Sequence, residues 1–156
     1  MSNANQLEIA GWMVLAAVLG SLVGLEREFR GHEAGVRTSG LVCAAAAVFG
    51  LISFRVTNDD RIAAGVVQGV GFLGAGLVFQ RRHGDIAGVT TAATVWVVAA
   101  IGLLVAAKLW LSALTITLAV VILLELAPVS AWVYRRGQAH RAVAAPEPPA
   151  KEGDGD

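Results

Sequence analysis

Five stretches of this chain carry no Asp, Glu, Lys or Arg: Ile9–Leu25, Thr38–Phe54, Ile62–Gln80, Ile86–Ala107 and Leu109–Leu124, each 16 to 22 residues long. A bilayer core about 30 Å thick is crossed by roughly 20 apolar residues in a helix rising 1.5 Å per residue. Hydrocarbon offers the backbone no hydrogen bonds, so spans must be helices or closed barrels. Barrel strands would alternate polar and apolar side chains, and these runs do not. Charged residues are only 15% of the 156-residue chain and mean hydropathy is +0.65. Soluble domains use about 25% charge to cover their surface. The sequence therefore predicts an all-α integral membrane protein, a bundle of five transmembrane helices at about 7–25, 38–54, 62–80, 88–107 and 109–127. The last two runs meet at Lys108, where a tight turn near Ala106–Leu109 is expected.

Lys and Arg set the orientation. Nine fall in the first loop, third loop and tail (Arg27, Arg30, Arg37, Arg81, Arg82, Arg135, Arg136, Arg141 and Lys151), against three in the opposite set (Arg55, Arg61 and Lys108). This puts the N-terminus outside and the C-terminus in the cytoplasm, as an odd number of spans requires. The first run lacks the positive residues that precede a signal peptide's apolar core, so it reads as a retained helix. A transmembrane domain over 1–134 is then followed by a cytoplasmic tail, 135–156. From about 142 (AVAAPEPPAKEGDGD) that tail is expected to be disordered.

Small residues carry helix association in lipid, because close backbone approach replaces the missing hydrophobic drive. Gly20 and Gly24 are four apart in the first span, and Gly65, Gly69, Gly71, Gly74 and Gly76 crowd the third. Each interior Gly costs a helix about 1 kcal/mol relative to Ala in water, so this crowding implies tight packing, or else a break or pore lining. Gly69–Gly74 also spells G-x-G-x-x-G. That fingerprint needs a strand–turn–helix context and an acidic residue about 20 positions on, and here neither is present. No cofactor is expected.

Glu26, Arg27 and Glu28 follow the first run at once, and Arg37 and Thr38 open the second. Glu26 and Arg30 are spaced for a helical ion pair. Alternatively Glu26 or Glu28 tucks under the bundle and pairs with Arg37. Asp59 and Asp60 suit helix N-terminal chemistry, or at most a weak magnesium contact. Asp85, Thr90 and Thr91 begin the fourth span, and Gln68 is the one strongly polar side chain near mid-membrane. Trp12, Trp96, Trp110 and Trp132 suit interfacial or packing roles. The lone Cys43 excludes an intrachain disulfide, and no catalytic triad or metal-ligand spacing is present. Neither an enzyme nor a nucleic-acid binder is indicated.

Four blocks carry a family resemblance: Gly24-Leu25-Glu26-Arg27-Glu28, Ala34-Gly35-Val36-Arg37-Thr38, Gly69-Val70-Gly71-Phe72-Leu73-Gly74-Ala75-Gly76, and Gly88-Val89-Thr90-Thr91-Ala92-Ala93-Thr94-Val95-Trp96. In order and spacing, from about Leu7 to Leu126, the chain resembles the MgtC/SapB family. The resemblance implies a bacterial inner-membrane protein with five spans, tied to growth under magnesium limitation and, in pathogens, to virulence. It also implies a membrane partner, since the best-known member is described as restraining the F-type ATP synthase. Its blocks mark Glu26, Arg27, Glu28, Arg37 and Thr38 as a functional polar cluster, with Gly69, Gly71, Gly74, Gly76, Thr90 and Thr91 beside them. Virulence-type members carry a folded cytoplasmic C-terminal domain, so the short tail here resembles the SapB-like branch. The expectation is a non-enzymatic membrane regulator that self-associates, most simply as a homodimer. The rival is a small oligomeric ion or solute transporter, with Gln68 and the third-span glycines lining its path.

Overall fold

The computed structural model describes residues 3–79 and 88–126. Among the described residues there are five α-helices and no strand: α1 (Asn3–Phe29), α2 (Val36–Leu51), α3 (Arg61–Phe79), α4 (Val89–Ala106) and α5 (Trp110–Glu125), with a π-helical turn, Ile52–Thr57, prolonging α2. Four are long and apolar enough to cross a membrane, and α5 is a shorter apolar helix. The expected tail, 135–156, together with Trp132, Arg81, Arg82 and Asp85, lies outside the described residues. Residues up to Ile122 form one compact unit, and Leu123–Leu126 are the described part of a second.

Large apolar side chains point outward along every helix; Val14, Leu41, Phe72, Trp96 and Leu118 are each at least half exposed or nearly so. The core combines Val23, Val95, Val98, Ile101 and Val105 with small side chains that let the backbones approach closely. A methyl on Gly20 would lie 2.5 Å from Cβ of Cys43 and 2.6 Å from the Ser39 carbonyl oxygen, and one on Gly24 would lie 2.6 Å from that of Gly35. From the other side, a methyl on Gly40 would meet Oγ of Ser21 at 2.5 Å. Helix α2 repeats the device on its far face, where Gly102 of α4 sits against the backbone of Cys43 and Ala47 and Gly50 sits against Ala106. So α2 is clamped between α1 and α4, with Cys43 buried at the centre. Helix α3 lies on α4, Gly74 facing Ala92.

The ends of the helices have distinct chemistry. Within the π-turn the Thr57 hydroxyl donates to the Ile52 and Ser53 carbonyls, while the Ser53 hydroxyl donates to the Asp59 carbonyl and accepts from the Ala63 amide, tying α2 to the start of α3. Asn58, left-handed at φ 50°, makes the reversal. Between α4 and α5 the chain turns at Lys108, also left-handed at φ 63°, and the Lys108 ammonium reaches Glu8 Oε1 at 2.9 Å. Trp12 donates to that same oxygen, fixing the beginning of α1 at this end.

Candidate functional site

Arg27 continues the buried stripe of α1. It lies three and seven residues beyond Gly24 and Gly20, the spacing that keeps one helix face. The face that carries glycines against α2 therefore ends in a guanidinium, and Arg27 is 3% exposed. Its Nη2 donates to Oγ1 of Thr91 on α4 at 3.1 Å, a bond across the bundle. Thr91 is buried because it opens the stripe that runs on through Val95, Val98, Gly102 and Val105. Thr94, also buried, returns its hydroxyl to its own helix at the Thr90 carbonyl.

Glu26 is 8% exposed and sits on the neighbouring stripe with Leu19 and Val23. Its Oε1 lies 3.0 Å from Nε of Arg30, an ion pair off the direction a hydrogen bond needs. Oε2 of Glu26 and Nε of Arg27 are buried without a hydrogen-bond partner among the described residues. Glu28 points elsewhere. Its Oε2 accepts from the Val36 amide at 2.9 Å, placing a carboxylate at the positive N-terminus of α2, where no local side chain caps the helix. Gly35 makes room for it, since a methyl there would lie 2.6 Å from that oxygen.

The structure brings Arg27 and Thr91 together, keeps Glu26 beside Arg30 and Glu28 at the start of α2, and leaves Arg37, Thr38 and Thr90 exposed. The expected pairing of Glu26 or Glu28 with Arg37 is not formed: Glu26 is held within its own helix by Arg30, and Glu28 is committed to the α2 backbone. Arg37, one residue beyond the capped amide, turns outward. Ser39 is the residue that sequence reasoning missed. It is fully buried, donates to the Ala34 carbonyl and lies against Gly20. The signal was its place one turn before Cys43 on the α2 face, readable only once α1 is known to lie there.

The close packing expected of the third-span glycines is made at Gly74 but not at the others within the described residues of this chain. Helix α3 is regular throughout Arg61–Phe79, and among the described residues only Gly74 of these glycines meets a neighbour, with nothing within 4 Å of a methyl placed on Gly65, Gly69, Gly71 or Gly76. The reason is phase: α3 turns Ala63, Val70 and Gly74 inward, leaving the other glycines on the outer arc. Gly65 and Gly69 border an apolar groove of about 380 Å³ between α2 and α3, lined also by Val42, Phe49, Ile62 and Leu73. Gln68 is exposed beside them. At the other end Asp59 accepts from the Arg61 amide at 3.0 Å, helix N-terminal chemistry, and no group of three potential metal ligands occurs among the described residues.

The sequence profile of the MgtC family matches residues 13–131. A Haemophilus influenzae protein named only as uncharacterized is 35% identical over 89% of this chain and 64% of its own length. The protein SrpB of Synechococcus elongatus is 36% identical over 70% of this chain and 69% of its own. The protein MgtC of Salmonella typhimurium (strain LT2) is 47% identical over 59% of this chain, and the match spans about 40% of that protein. No solved structure matches.

Proposed function

This chain belongs to the MgtC family and is a multi-pass membrane protein, and on that premise we propose that it is a non-enzymatic regulator of the bacterial inner membrane that acts by docking a helix of another membrane protein. The observation that carries this reading is the groove between α2 and α3. It is apolar, open on the outside of the helices, and floored by the bare backbone of Gly65 and Gly69. In lipid such a surface gains from close helix contact what it cannot gain from hydrophobic exclusion.

The charge distribution supports placing the Arg27–Thr91 end in the cytoplasm and the Glu8–Lys108 end outside. The polar cluster then acts as the fixed end of the bundle, holding α1 to α4 while the α2–α3 face meets its partner. The family resemblance favours the F-type ATP synthase as that partner, under magnesium limitation, with restraint of its proton coupling as the effect.

The test is ATP-driven acidification of inverted membrane vesicles. Vesicles containing the native chain should acidify less than vesicles without it. The substitution Gly69→Leu, which fills the groove without disturbing an internal contact, should remove that difference. Equal acidification with and without the native chain would overturn the proposal. Ion or solute flux through purified protein in liposomes would replace it with the transporter reading.

A further inference from the structure

Helix α3 presents a second outward face, one step around from the groove. At about 100° per residue, Gln68 stands at the middle of an open arc. One flank carries Ala64, Gly71 and Ala75; the other carries Gly65 and the 83%-exposed Phe72. Gln68 lies about 2 Å along the axis from the midpoint of the Arg61–Val78 span. Its amide offers two N–H donors and a carbonyl acceptor, and none is used among the described residues. Acyl chains offer it nothing at that depth, and an amide left without a partner there is costly.

We propose that this face is the interface with a second copy of the chain, related by a two-fold axis along the membrane normal and centred on Gln68. Two properties select a second copy over an unrelated helix. The carboxamide is self-complementary, since each Gln68 can donate to the carbonyl of the other and accept from its N–H. The shape is self-complementary too. Two parallel helices related by that axis place each one's flank against the opposite flank of the other, so Phe72 of each chain meets the small flank of Ala64, Gly71 and Ala75. Neither contact needs a change inside the chain, because a methyl on Gly71 would meet nothing.

The inference rests on the membrane-spanning reading and not on the regulatory role. It is tested by self-association, whereas the vesicle assay reads groove docking, so either can fail alone. The experiment uses the full chain in liposomes at decreasing protein-to-lipid ratio. With Gln68 intact, Ala75→Cys should give a disulfide-linked dimer on oxidation, while Leu118→Cys on α5 should not; native Cys43 is buried and silent. Adding Gln68→Leu should weaken association about tenfold, and Gln68→Asn should keep most of it. Cross-linking through Leu118→Cys equal to that through Ala75→Cys would overturn the proposal, as would unchanged association in Gln68→Leu or a native chain that stays monomeric at every ratio.

Discussion

The bond from Arg27 to Thr91 shows how far one side chain's surroundings depend on helix phase. Arg27 and Arg37 are both arginines at the end of an apolar run, yet one is buried across the bundle and the other is exposed. A guanidinium stays charged at any depth, so removing its partner leaves a buried donor unsatisfied. Thr91→Val keeps the shape and deletes the acceptor. It should destabilise the bundle by about 1.5–3 kcal/mol, read by unfolding in mixed micelles, while Thr90→Val on the exposed face should change little. The sequence spacing gave the Glu26–Arg30 pair and marked Arg27 and Thr91 as candidates, but not their bond, because that needs the crossing of α1 and α4. The interval from Gly20 through Gly24 to Arg27 was the one readable sign that this arginine faces inward.

At the scale of elements, glycines of the same composition serve opposite ends. Gly24 lies against the backbone of α2, which cannot yield, whereas Gly65 borders open space. Gly24→Leu should therefore cost at least about 1–3 kcal/mol and lower the amount of folded protein recovered, while Gly65→Ala should be neutral or slightly stabilising through helix propensity. Composition alone made both look like packing residues; only the arc that α3 turns inward separates them. The π-turn at Ile52–Thr57 left no such trace, since that segment contains neither Pro nor Gly. It coincides with the Ser53 hydroxyl bound to Asp59 and to the next helix at Ala63, a contact between segments. The α1–α2 connection depends on Glu28 in the same way. Glu28→Ala should cost about 1 kcal/mol by uncapping α2, and Glu28→Gln, which keeps an acceptor oxygen, should recover part of it in the same unfolding measurement.

For the whole molecule, the two polar ends give the bundle its scale. From Glu8 to Glu26 helix α1 rises about 27 Å, and from Thr91 to its end at Ala106 helix α4 returns about 23 Å, on the scale of a hydrocarbon core. The Glu8–Lys108 pair closes one end and the Arg27–Thr91 bond the other, with an outward apolar surface between. The charge-free runs made this plan legible, because hydropathy and helix rise are local properties. The groove and the Gln68 face were not legible, since they are what the assembled helices leave uncovered. Everything proposed for the chain presumes that these ends face opposite sides of the membrane. Single cysteines at Asn5 and Gly31 in intact cells, probed with a membrane-impermeant maleimide, measure that directly. Position 5 should label from outside and position 31 only after the membrane is opened; equal labelling of both in intact cells would overturn this topology.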